Sequence, residues 1–140
     1  MFSKYAAEFY KEKKADIPFS NLSEEFIEGE IIQLDDSNFA DTVYNSNEIW
    51  MLKFSAPWCY HCNKMKPSWI AAAKELGSNV RFAVIDAAAN RGLAKDFGVT
   101  MLPTLKFFKA GYGDRSAELA HKYSGTRDLH SISTFAKNLR

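Results

Sequence analysis

Cys59 and Cys62 are the two cysteines of the chain, two residues apart in the stretch Ala56-Pro57-Trp58-Cys59-Tyr60-His61-Cys62-Asn63-Lys64-Met65-Lys66-Pro67. Thiols at this spacing can close a structural disulfide, supply half of a metal site, or work as a redox couple. A structural bridge here closes a tiny loop and removes little entropy from the unfolded chain. Structural zinc takes four ligands in paired spacings, whereas His121 and His130 lie far along the sequence. The redox couple has the strongest physical case. If Cys59 begins a helix, it sits among N–H groups without acceptors, at the positive end of the dipole, and its thiol pKa falls below the roughly 8.5 of a free cysteine. Cys62, one turn inside, is then placed to resolve a mixed disulfide formed on Cys59. His61 tunes the pair: imidazolium character near the helix start favours the thiolate, which makes the couple more oxidising.

Several elements must hold these residues. The nearly unbroken apolar run from Glu48 to Phe54 predicts a central strand covered on both faces. A helix from about Cys59 to Leu76 follows, with Met65, Trp69, Ala72, Ala73 and Leu76 on its inner side and Pro67 bending its interior. Ahead of the central strand, Ile31 to Leu34 reads as a short strand, and Asp36-Ser37-Asn38 as the cap of a helix through Phe39 and Val43. Val80 to Ala87 is a second buried strand, and Asn90 to Phe97 a short helix closed by Gly98 in the left-handed conformation. Leu105 to Phe108 and Glu118 to Tyr123 form an antiparallel pair across a turn at Gly111 to Asp114. Behind Ser124-Gly125-Thr126, the spacing of Leu129, Ile132, Phe135, Ala136 and Leu139 predicts a last amphipathic helix. This order predicts an α/β fold with a central mixed sheet and helices on both faces. Residues 1–29 read as an extension, with a helix over 2–14 carrying Phe2, Tyr5, Phe9 and Tyr10 on one face, then a linker; the compact domain is expected over 30–140.

The stretch from Phe54 to Cys62, followed by Lys64-Met65-Lys66-Pro67, resembles the active-site segment of protein disulfide isomerase a-type domains, which have the thioredoxin fold. Val84-Ile85-Asp86-Ala87, Phe97-Gly98-Val99, Leu102-Pro103-Thr104-Leu105-Lys106-Phe107-Phe108 and Tyr123-Ser124-Gly125-Thr126-Arg127 fall in the family's order and spacing, over about residues 30 to 140. The resemblance implies that Cys59 is the nucleophile and Cys62 the resolving thiol, that Pro103 is cis and faces them, and that Trp58, Tyr60, Leu102 and Pro103 contact substrate. It also implies that Arg127 approaches Cys62 to assist resolution. One position departs from the family: Lys53 stands where a buried acid is usual, and the position of that acid's lysine partner falls on Val84. Two readings of Lys53 follow. A buried amine takes part in proton movement at Cys62; alternatively, Lys53 snorkels to solvent or pairs with a nearby acid and moves no proton.

Composition bounds the partners. Eighteen basic against 17 acidic side chains leave a net charge of +1, so no global field gathers nucleic acid or anionic lipid. No stretch approaches the roughly 18 apolar residues of a membrane span, and the N-terminus lacks the apolar core of a signal peptide; a removed leader would leave the same text. The expectation is therefore a soluble thiol–disulfide oxidoreductase without metal or organic cofactor. By the resemblance it is expected to act on cysteine-containing proteins, with glutathione or an oxidase or reductase as redox partner, in the lumen of the endoplasmic reticulum. The alternatives are a cytoplasmic thioredoxin-like reductase and a binding or chaperone module of weak redox activity.

Overall fold

Central strand β2, Ile49–Ser55, is buried at all seven positions, as its apolar run requires. The computed structural model describes residues 31–77, 79–111 and 115–139, so the helix expected over 2–14 and the linker over 15–29 lie outside the described residues. Around β2 stand β1 (Ile32–Leu34), β3 (Val80–Asp86), β4 (Thr104–Phe108) and β5 (His121–Tyr123), in the order β1-β3-β2-β4-β5. β1 and β2 run parallel to β3, and β4 pairs antiparallel with β2 and β5. The sheet is thus mixed, as the alternation followed by a hairpin predicts.

Strand alternation divides the core into two layers. On one face Met51, Phe82, Val84, Leu105 and Phe107 pack with Met65, Trp69, Ala72, Ala73 and Leu76, and with Ile132 and Ala136. These helical residues belong to α2 (Lys66–Leu76), to α4 (Leu129–Lys137), and to the Met65 junction that separates α2 from α1 (Tyr60–Lys64). On the other face Trp50, Leu52, Phe54, Ala83, Ile85 and Phe108 meet Val43, Leu93 and Phe97. There a single π-type turn, Ala40–Tyr44, and α3, Arg91–Asp96, provide the cover. Each large apolar side chain so buried contributes about 1.5–3 kcal/mol. The sheet is therefore held from both sides, and the ends of its strands become a rigid platform. Gly98, with φ of 68°, closes α3 as expected.

Four local expectations need correction. The helix expected from Cys59 to Leu76 is two helices. Met65 (φ −88°, ψ −1°) ends α1, and the Trp69 N–H bonded to the Met65 carbonyl at 3.0 Å opens α2. Pro67 therefore lies in the first turn of α2, where its missing N–H costs no helical hydrogen bond. The cap near the first turn is Asp35, whose Oδ1 accepts from the N–H of Ser37 at 2.9 Å and of Asn38 at 3.1 Å. The last helix is capped by Asp128, which accepts from the Ser131 N–H at 3.0 Å, rather than by Ser124 to Thr126. Finally, β5 is only three residues long. The chain before it coils into a 3-10 turn, Ala117–Leu119, because Ala117 and Ala120 pack on the second core layer.

Candidate active site

The platform ends at Ser55, and the chain turns through Ala56, Pro57 and Trp58 to reach Cys59. That turn is closed by the Cys59 N–H on the Ala56 carbonyl at 3.1 Å. Asn63 reaches back from α1, its Nδ2 donating to the Pro57 carbonyl at 3.1 Å. Cys59 itself is the N-cap of α1, with extended backbone (φ −81°, ψ 116°). It is joined by a disulfide to Cys62, with the two Cα atoms 5.2 Å apart. The Cys62 N–H, one of the donors a helix start leaves without a carbonyl, points at Cys59 Sγ at 3.2 Å. When the pair is reduced, that donor stabilises negative charge on this sulfur rather than on its partner. Burial is asymmetric in the same sense: Cys59 is 7% exposed and Cys62 0%.

The opposite wall comes from the loop that leads into β4. The Leu102–Pro103 peptide is cis, in agreement with the expectation, and Pro103 is buried. Leu102 and Trp58, both half-buried, pack against the cluster of Ala56, Cys59 and Cys62. Trp58 therefore flanks the sulfurs and is not a central core aromatic. The Met101 carbonyl is held by Thr104 Oγ1 at 2.6 Å, which fixes the loop, while the Met101 side chain is 72% exposed. Tyr60, between the cysteines, is 70% exposed, with its ring edge-on to His61 at 5.2 Å. Tyr60, one of the large apolar side chains left in solvent, thus stands between the two cysteines, and Met101, another, lies in the loop that leads to Leu102.

Arg127 stays at the surface, in the loop between β5 and α4. That loop is held by Tyr123 Oη donating to the Thr126 carbonyl and by Thr126 Oγ1 meeting Ser131 Oγ, both at 2.6 Å. Hydrogen bonds from Ser131 hold the Asp128 carboxyl below the usual carboxylate range, and burial pushes the Tyr123 phenol up. Lys53 lies in β2 between Val84 and Leu105 of the neighbouring strands, as its alignment with Val84 predicts. It belongs to the sheet face covered by α2 and α4 and is 0% exposed. It therefore does not snorkel to solvent, because a strand flanked by two others beneath a helix layer leaves no path for the side chain. Sequence reasoning passed over Met101, Asn63 and Asp128. A proline-threonine pair after an apolar residue marks the Met101 loop, but the bonds made by Asn63 and Asp128 depend on how the chain turns.

The sequence pattern of the Thioredoxin family matches residues 30–138. The protein disulfide-isomerase A6 homolog of Drosophila melanogaster is 39% identical over 109 residues, which cover 78% of this chain and 25% of that protein. Protein disulfide-isomerase A6 of Homo sapiens is 38% identical over 114 residues, covering 79% and 24%. The chain thus spans about a quarter of the length of the curated relatives it matches. Among solved structures, the J-Trx1 fragment of ERdj5 superposes with a TM-score of 0.66 at 34% identity, over 77% of this chain and 50% of that one. With the family pattern over residues 30–138 and the backbone superposition in agreement, the chain belongs to the thioredoxin family, as a protein disulfide isomerase-like domain.

Proposed function

We propose that this domain is a thiol–disulfide oxidoreductase that forms, reduces or rearranges disulfides in cysteine-containing proteins of the endoplasmic reticulum lumen. The observation that carries the reading is the Cys59–Cys62 disulfide at a helix start, with the Cys62 N–H on Cys59 Sγ and the inner cysteine fully buried. In the oxidising direction a substrate thiolate attacks Cys59 Sγ. The bond to Cys62 breaks, and Cys62 leaves as a thiolate that takes up a proton. A second substrate thiolate then attacks the substrate sulfur of the mixed disulfide and releases Cys59. The substrate loses two electrons and two protons, and the couple gains both. Reduction is the reverse, with Cys62 resolving the mixed disulfide. Glutathione or an oxidase or reductase protein resets the couple, and an oxidising compartment is where such chemistry persists.

The remaining residues take supporting roles. Trp58, Tyr60 and Leu102 line the approach to Cys59; cis-Pro103 offers no N–H there and leaves the Leu102 backbone to pair with an extended substrate. His61 favours the reduced form. Arg127 swings inward from its exposed loop during resolution. Lys53 assists Cys62 in either protonation state: neutral, its amine takes the thiol proton; charged, it stabilises the thiolate.

The test is insulin disulfide reduction together with refolding of a protein with scrambled disulfides. Cys59→Ser abolishes both, and Cys62→Ser accumulates mixed disulfides. Turnover that survives Cys59→Ser sinks the proposal. A reduction potential well below that of glutathione replaces the isomerase with a thioredoxin-like reductase.

A further inference from the structure

Two grooves meet at the loop after β5. One, of 240 Å³, runs from cis-Pro103 and Met101 to Lys106, Lys122 and Arg127. The other, of 480 Å³, lies between α1 and the loop and is lined by His61, Lys64, Arg127 and Asp128. Lys64, Lys106, Lys122 and Arg127 are basic side chains, and the one carboxylate among these groups, Asp128, is engaged as the cap of α4. The chain as a whole carries only +1, so this concentration of positive charge is local to the disulfide's surroundings. Two of the lysines are set against each other. The antiparallel register puts Lys106 of β4 directly opposite Lys122 of β5, an arrangement that costs stability. Among the described residues neither they nor Arg127 takes part in an ion pair. A like-charged pair with no ion-pair partner among the described residues is complementary to an acid from outside.

We propose that the groove of Lys106, Lys122 and Arg127 is a specificity subsite for an acidic side chain of the substrate, so that the domain prefers cysteines with Asp or Glu nearby. The proposal rests on the oxidoreductase reading, since the groove includes cis-Pro103, whose neighbour Leu102 packs against Cys59 and Cys62. From Pro103 to Lys106 is three residues of strand, about 10 Å. Both edges of β4 are paired, to β2 and β5, so a substrate with its cysteine at Cys59 reaches the lysines by lying along the groove past Pro103, with an acid some three residues away. The lysines select by charge, so the preference weakens as salt shortens the Debye length from about 8 Å at 0.15 M to about 3 Å at 1 M.

Two disulfide-linked peptide dimers test this. They are identical except for Glu or Gln three residues to either side of the cysteine, and each is reduced by the dithiol form of the 140-residue chain. Each rate is divided by the rate with dithiothreitol, which removes the effect of Glu on the peptide thiol itself. The Glu dimer is expected to react about tenfold faster at low salt and to lose most of that advantage at 1 M salt. Lys106→Gln with Lys122→Gln is expected to reduce the advantage to about twofold or less. Equal rates for the two dimers, or an advantage that survives the double substitution, overturns the proposal. The same peptides with Ser for Cys, titrated into the chain, should shift the Lys106 and Lys122 amide resonances with Glu and not with Gln. If neither dimer is reduced, the oxidoreductase reading falls, while the titration still decides the groove: shifts with Glu alone support it, and matching or absent shifts overturn it.

Discussion

Gly125 has the least room of the glycines near the candidate active site, and Gly125→Ala tests how the Arg127 loop is held. A Cβ at this position meets Tyr123 Oη at 2.5 Å, Cζ at 2.7 Å and Cε1 at 3.0 Å. The ring cannot step aside: Tyr123 is buried, its ring lies 4.8 Å from that of Phe135, and its hydroxyl donates to the Thr126 carbonyl at 2.6 Å. Overpacking of this kind costs about 1–3 kcal/mol, and displacing the hydrogen bond adds about 1 kcal/mol. The expected loss is therefore about 2–4 kcal/mol, a fall in Tm of about 7–14 °C for a chain of this size. Urea unfolding followed by tryptophan fluorescence measures it, with the m-value unchanged. Tyr123→Leu removes all three clashing atoms, so in that background Gly125→Ala is expected to cost under about 1 kcal/mol, a coupling of more than about 1 kcal/mol. A single-substitution effect within about 0.5 kcal/mol of zero, or equal costs in the two backgrounds, refutes the packing account.

Further outcomes follow from the same coordinates. Arg115→Met should destabilise by about 2–4 kcal/mol in urea unfolding, because the guanidinium holds the carbonyls of Glu48 and Lys109 at 2.6 and 2.9 Å, and that of Val43 at 3.3 Å. Asp128→Asn should flatten the acid limb of the stability curve. The folded pKa of Asp128 is depressed by its Ser131 hydrogen bonds, so the unfolded chain binds more protons below the ordinary carboxylate value of about 3.9, and the contribution present above it is lost as pH falls through the folded value. An unchanged limb would contradict this. Tyr123→Phe should remove a loss of stability on the alkaline side, since burial raises this phenol and the folded chain holds its proton longer than the unfolded one above about pH 10. Lys53→Met should slow release of a mixed disulfide trapped on Cys59 and leave its formation unaffected; unchanged release in stopped-flow kinetics would rule out assistance to Cys62.

The chemistry was readable because it is local. Cys59, His61 and Cys62 fall within one helical turn of each other, and a helix start after a buried strand follows from Ile49 to Phe54 and the residues beyond. Gly98 and the inner face of α2 were legible for the same reason, each depending on spacings of a few residues. Misreadings arose where a local signal had two outcomes. Pro67 is compatible with a bent interior or with a first turn, and the carbonyl of Met65 decided between them. Ser124 to Thr126 and Asp128 are all capping residues by type, and only the Asp128 bond to the Ser131 N–H separates them.

What the sequence determined alone is the cysteine pair at a helix start, its neighbours and the alternation of strands and helices, because these rest on residue type and short-range periodicity. The tertiary structure decided that Lys53 is sealed between Val84 and Leu105, that Arg127 stands exposed between two grooves, and that Lys106 faces Lys122. Those are properties of strand order and register. They are set by the burial of two opposed faces of one sheet, a sum over residues scattered along the chain that no short stretch encodes.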